Sequence, residues 1–266
     1  MLTVATLKTS SLRVTIEDGI AFIELDRPPA NALDLDTLEE LGQAILAVRI
    51  DPAAKVVVVT SAVPRFFSAG LDLSELDADA NRVSYVQYLF HEMIIMRMRT
   101  TPKVFIAAIN GNCLGGGMEL ALACDIRFAG RGSWALGLPE AKLGGFPGGG
   151  GLQMLGRQVG FSRALRLGMS GEPWTIEQAH EIGVVDEVVD QEDLIAHATE
   201  LARNIAAGPL KAIGAMKIGT TLGREMGLPG ALSLERELYN QVFATEDIKE
   251  GSKAFLEKRA PEFKGR

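Results

Sequence analysis

Cysteine and histidine are scarce in this chain of 266 residues: two cysteines, Cys113 and Cys124, and three histidines, His91, His180 and His197. The cysteines make no CxxC motif, and the histidines stand far apart with no zinc-like spacing. A disulfide scaffold and a structural metal site therefore both fall away, and no metal is expected. A reduced, intracellular, cytoplasmic protein is the simpler expectation. Positive charge is also short. Lys and Arg number 27 against 34 Asp and Glu, a formal net charge of −7. That is a poor balance for nucleic acid, whose phosphates attract basic patches. It still leaves room for a phosphorylated small ligand held by a few local Lys and Arg residues. Long apolar runs are missing too. The longest low-charge stretch, Val104 to Cys124, is broken by "NGNCLGGG", which reads as a buried segment, not a membrane span. The N-terminus has no apolar core with a small-residue cleavage pattern, so no signal peptide is expected. No strict G-x-G-x-x-G occurs, and "GGGMEL" lacks the Lys and Ser/Thr of a Walker loop. "GFSRA" lacks the last glycine of a nucleophile elbow. Nucleotide hydrolysis and serine-triad chemistry are rejected on these grounds.

What is present is a large supply of core. Hydrophobic residues make up 47% of the chain. "LRVTIEDGIAFIELDRP" alternates on both sides of Asp18-Gly19 and predicts a β-hairpin. Leu38, Leu41, Ile45 and Val48 then fall on one helical face, with Asp34 or Asp36 as cap and Asp51-Pro52 as stop. "KVVVVTS" (55–61) and "KVFIAAIN" (103–110) are continuous apolar runs of the kind buried in a parallel sheet. "IRFAG" predicts another short strand. After about Gly160 strand signals nearly vanish and the pattern is helical. The order of elements predicts an α/β core, divided here into a core at 1–195 and a C-terminal helical region at 196–266.

Two glycine-bearing junctions, "FSAGLDL" and "LGGGMEL", follow the two buried strands. Ligands gather beyond the carboxyl ends of parallel strands, so both junctions should face one crevice. Free backbone N–H groups there form an anion site, and one from each loop could hold an oxygen gaining negative charge. Glu119 sits in the first turn of the "GGGMELALAC" helix, and Glu140 follows Pro139 in "GLPEAKLGG". Two carboxylates meeting in an apolar pocket titrate as a pair and can do acid and base work near neutral pH. Pattern alone leaves other readings open: a Glu near a helix start is often only a partner of the helix dipole, and a Glu after Pro often faces water.

The chain resembles the enoyl-CoA hydratase/isomerase family, also called the crotonase family. The resemblance rests on "LDRPPANALD" (25–34), "FFSAGLDLSEL" (66–76), "INGNCLGGGMELALACDIRFA" (109–129), "GLPEAKLGGFPGGGGLQML" (137–155), A-x-x-x-G-x-V-D-x-V-V (179–189) and the closing "FLEKRAPEFKGR". It implies a crotonase-like spiral of ββα units with a C-terminal helical region that drives homotrimers, often paired into hexamers. It implies an acyl-CoA thioester as substrate, with no further cofactor. By motif match, the N–H groups of Leu71 and Gly116 form the oxyanion hole. The loop from Ala69 through Asp72 and Leu73 to Ser74 lies on the adenine side. Arg27 and Ala30 touch the CoA arm, and Phe263 and Lys264 reach toward the nucleotide, in the same or a neighbouring subunit. Glu119 and Glu140 fill the two glutamate positions of the family's hydratases. The implied reaction is reversible addition of water to 2-enoyl-CoA in fatty acid or related acyl-CoA metabolism. Δ3,Δ2-enoyl-CoA isomerisation is the alternative, and an acyl-CoA-binding or assembly module the non-enzymatic one. The same analogy sets the segment 78–98 along the acyl pocket.

Overall fold

A computed structural model describes residues 3–77 and 79–266; Ala78, the first residue of the 78–98 segment, lies outside the described residues. The predicted hairpin is β1 (Leu12–Glu17) and β2 (Ile20–Leu25), antiparallel in register Leu12 to Leu25. Its turn has φ of 50° at Asp18 and 83° at Gly19, the pair of left-handed residues that a two-residue hairpin of matching twist requires. β3 (Ala32–Leu33) leads into α1 (Leu35–Ile50), where Asp34 settles the choice of cap by accepting the Thr37 N–H at 2.9 Å. Next come β4 (Val56–Ser61), β5 (Phe66–Ser68) and β6 (Gly70–Leu71). One long helical segment then runs through α2 (Ala80–Tyr88), a π turn (Leu89–Ile95) and α3 (Met96–Thr100).

The pattern repeats with β7 (Val104–Ile109), β8 (Asn112–Leu114) and α4 (Gly116–Ala123), then β9 (Ile126–Gly130) and β10 (Leu136–Gly137). A 3-10 turn at Glu140–Leu143 precedes α5 (Gly151–Val159), α6 (Phe161–Ser170) and α7 (Ile176–Glu181). β11 (Glu187–Val189) is followed by α8 (Leu194–Ala206), α9 (Leu210–Gly223), α10 (Leu228–Phe243) and α11 (Glu246–Glu257). The main sheet has order β1-β2-β4-β7-β9-β11, parallel from β2 onward. Two small parallel sheets, β10-β8-β5 and β3-β6, stand beside it.

The unbroken apolar runs are explained by burial on both faces. Val57, Val59, Phe105 and Ala107 join the cluster beneath α1, while Val56, Val58, Ile106 and Ala108 join a second cluster sealed by α8. Fully burying each such Val or Ile contributes about 1.5–3 kcal/mol. α8 supplies Leu194, Ala198, Ala202 and Ala206, a stripe at every fourth residue narrow enough to lie flat on the strands.

Two expectations change. A strand does occur after Gly160: β11 adds to β9 as an edge, three residues long and only partly buried, too short to show a period. The boundary at 195/196 falls inside α8, which packs on the sheet, and Ile213 of α9 still packs against the same cluster. Among the described residues, no helix is long and apolar enough to cross a membrane.

Candidate active site

β6 carries Leu71 alongside β3, where Asp72 N–H donates to Leu33 O at 3.0 Å. Successive N–H groups of a strand point to opposite sides, so the Leu71 N–H faces away from β3. On that side lies the start of α4. A β-carbon placed on Gly116 would sit 3.4 Å from Leu71 N, and one on Gly70 only 3.0 Å from Gly116 N and 2.8 Å from Leu114 O. Gly70 also has φ +95°, so this close approach of two backbones needs glycine twice over. Gly116 is the first residue of α4 and has no intrahelical acceptor for its N–H. Two N–H groups from the two junctions thus flank one spot, at the positive end of a helix dipole.

This strand is held from behind by residues that sequence reasoning passed over. Asn31 is buried, and its side-chain amide donates to Ser61 Oγ at 2.7 Å and Phe67 O at 3.0 Å and accepts the Arg27 N–H at 2.8 Å. Its carbonyl accepts from Ser68 Oγ at 2.7 Å, and Ser68 Oγ in turn accepts the Gly70 N–H at 3.1 Å. Ala69 N–H donates to Ala30 O at 2.9 Å. Arg27 bridges Asp34 at 2.8 Å and Asp72 at 3.1 Å and donates to Ala32 O at 3.0 Å. Hydrogen bonds from the Ser74 hydroxyl and amide, then Arg27, hold Asp72 below the usual carboxylate range despite some burial. The expected binding residues therefore form one knot between β3 and β6. Leu73 and Ser74 lie on its exposed rim, and the Arg27 guanidinium is already paired twice.

Glu119 is 3% exposed, on the inner side of α4. Its Oε1 accepts the N–H groups of Gly149 and Gly151, each at 2.8 Å. The glycine-rich run is therefore a clamp. A β-carbon on Gly149 would lie 2.6 Å from Glu119 Oε2 and 2.4 Å from the Phe90 ring, and one on Gly151 would lie 2.9 Å from Glu119 Oε1. Burial pushes the Glu119 carboxyl up to about 7, with the Glu140 charge adding to the rise and the two glycine N–H groups opposing it. Glu140 opens the 3-10 turn, half-buried, and burial raises its carboxyl too. Its Oε1 lies 3.2 Å from the point a β-carbon on Gly115 would occupy, and its buried Oε2 has no hydrogen-bond partner among the described residues. Glu119, Glu140, Leu71 and Gly116 are thus brought to one place around the Gly115–Gly116 turn.

Phe263 and Lys264 lie elsewhere on this subunit. Phe263 packs near Gly251, and the Lys264 N–H donates to Asp247 at 2.7 Å, folding the C-terminal tail onto the start of α11. Among the described residues, no group of three or more His, Cys, Asp or Glu is placed to hold a metal. Asn31, Ser68, Gly149 and Gly151 are the members sequence reasoning missed. The glycine run was a visible signal, but nothing in it names its partner about thirty residues upstream in the chain.

The chain is similar to known proteins over nearly its whole length. The model of the enoyl-CoA hydratase/isomerase family matches residues 15–266. A probable enoyl-CoA hydratase of Bacillus subtilis is 36% identical, over 96% of this chain and 99% of its own length. The 2,3-dehydroadipyl-CoA hydratase of Escherichia coli is 38% identical, over 97% of this chain and 100% of its own. The Geobacillus kaustophilus protein whose crystal structure bears the name "Enoyl-CoA hydrates" superposes with a TM-score of 0.94 at 42% identity, covering 97% of this chain and 98% of that one. With the crotonase fold matched over nearly its whole length, this chain belongs to the enoyl-CoA hydratase/isomerase family.

Proposed function

We propose that the protein is an enoyl-CoA hydratase, adding water reversibly across the 2,3 double bond of 2-enoyl-CoA thioesters. The observation that carries this is a pair of carboxyls, Glu119 and Glu140, both raised by burial and set beside the two facing backbone N–H groups of Leu71 and Gly116. The thioester oxygen accepts from those two N–H groups, which draws electron density off C3 and stabilises the enolate that follows. Glu119, ionised, takes one proton from water as its oxygen bonds to C3. Glu140, protonated, delivers a proton to C2 and becomes the carboxylate. The pair then returns to its first state by passing one proton back, so a single shared proton suffices for turnover. Isomerisation of 3-enoyl-CoA needs only one of the two carboxyls; the fixed posture of Glu119 on Gly149 and Gly151 favours the two-carboxylate reaction.

The subunit is read as part of a homotrimer or a dimer of trimers. α10 buries none of its residues within the subunit, while Leu228, Leu232, Tyr239 and Phe243 on it are exposed apolar side chains that support a subunit contact. The two free, buried thiols Cys113 and Cys124 support a cytoplasmic setting. The test is crotonyl-CoA with the purified protein, following loss of the conjugated thioester absorbance. Binding of acyl-CoA without turnover on any 2-enoyl-CoA would replace the hydratase with a binding module.

A further inference from the structure

Phe90 lies in the π turn between α2 and α3. The buried residues of that turn are Leu89, Phe90, Ile94 and Ile95, pairs spaced five apart, as the wider π winding requires. The turn sends a large ring, 5% exposed, into the gap between the two catalytic loops. Phe90 Cε2 stands 3.4 Å from the point a β-carbon on Gly116 would occupy. Its Cδ1 and Cε1 stand 2.4 and 2.5 Å from the same point on Gly149, where Glu119 Oε2 is 2.6 Å away. The ring therefore spans from the oxyanion-hole glycine to the glycine that clamps Glu119.

Beyond Gly149 lies a cavity of about 400 Å³, with Ile95, Met96, Gly149 and Met154 among its walls. Of its charged members, Arg99 and Arg157 both pair with Glu225, at 3.4 and 2.9 Å, and Glu92 is exposed on its rim. An acyl chain whose C2 and C3 sit between the N–H pair and the carboxyls, and which runs on toward this cavity, passes the Phe90 ring between Gly116 and Gly149.

We propose that Phe90 is the wall that ends the acyl site and sets acyl-chain length, closing the site off from the cavity behind Gly149; this rests on the hydratase reading above. The native enzyme then favours short 2-enoyl-CoAs, and a smaller side chain at this position joins site and cavity.

The experiment compares crotonyl-CoA with 2-decenoyl-CoA in the native protein, Phe90→Ala and Phe90→Leu, reading the ratio of their kcat/KM values. Butanoyl-CoA and decanoyl-CoA affinities are measured in parallel by calorimetry. The expected result is a shift of the ratio toward the long substrate by about tenfold or more in Phe90→Ala, with Phe90→Leu between, since even one methylene of pocket is worth about tenfold. An unchanged ratio in either folded variant overturns the wall and leaves Phe90 as core packing; Phe90→Leu carries the test if the alanine variant does not fold. If no 2-enoyl-CoA is turned over by the native protein, the hydratase reading fails by itself. The butanoyl to decanoyl affinity ratio then decides the wall in the same two directions.

Discussion

Ser68 Oγ donates to the carbonyl of Asn31 at 2.7 Å and accepts the N–H of Gly70 at 3.1 Å, so one hydroxyl fastens the strand that carries the Leu71 amide. Ser68→Ala leaves a buried carbonyl and a buried N–H without partners, at about 1–3 kcal/mol. The Leu71 N–H loses its anchor at the same time. The expected outcome is a lower urea midpoint together with a kcat on crotonyl-CoA reduced by up to about 10²-fold, KM changing less, because the hole acts in the transition state. A folded variant with native kcat would mean that the β3–β6 pairing alone holds the hole.

Glu119→Gln and Glu140→Gln each keep the shape of the side chain and remove its titration. Hydration is expected to fall by about 10²–10⁴-fold in each, the usual range for a lost general acid or base, with acyl-CoA binding retained by calorimetry. Isomerisation of 3-enoyl-CoA is expected to survive in Glu119→Gln and fail in Glu140→Gln. Native hydration rates in both variants would refute the two-carboxylate mechanism.

The raised carboxyl of Glu119 also has a stability signature. Its folded value is about 7 against an ordinary 4.5, so the unfolded chain releases this proton first. Stability is therefore lost as pH climbs from about 4.5 to 7 and stays reduced above that, by about 3 kcal/mol in order of magnitude. Glu119→Gln cannot titrate, and its amide oxygen still accepts from Gly149 and Gly151. The variant should match the native protein near pH 4 and exceed it in urea stability at pH 8. A stability gap that is the same at both pH values would sink the assignment of this cost to Glu119.

Much of this was legible in the sequence because it rests on local chemistry. The Asp18-Gly19 turn, the Asp34 cap and the runs of β4 and β7 are set by residues within a few positions of one another. Glu119 and Glu140 stood out as carboxylates among apolar residues and glycines. β3, β5, β6, β8 and β10 were not legible, since strands of two or three residues have no period and exist only through their partners. The clamp of Gly149 and Gly151 on Glu119, and the Asn31–Ser68 bond, join points that folding alone brings together. The π turn did leave a trace, the five-residue spacing of its apolar pairs, inside a helix rich enough in Met and aromatics to read as plain core.

Lys217 on α9 ties the C-terminal helices to the same core. Its side chain is 4% exposed and pairs with Asp125 at 2.8 Å. Its Nζ also donates to Met98 O at 2.8 Å and Lys103 O at 2.7 Å, and stands 4.8 Å from the Phe105 ring centre. All three ammonium protons have acceptors. Burial holds this amine below the usual lysine range, with Asp125 opposing the shift. Asp125 stands just after α4 and accepts the Phe105 N–H at 2.8 Å, so the pair locks α9 against the end of the helix that carries Glu119. Lys217→Met removes the cation and leaves a carboxylate and two carbonyls facing a thioether, at about 3–5 kcal/mol. Adding Asp125→Asn should recover part of that loss, because the stranded charge is removed with its partner. Urea unfolding of the two single variants and the double variant gives the coupling. A loss below about 1 kcal/mol in Lys217→Met, the range of an exposed ion pair, would show that α9 is held by its apolar contacts instead.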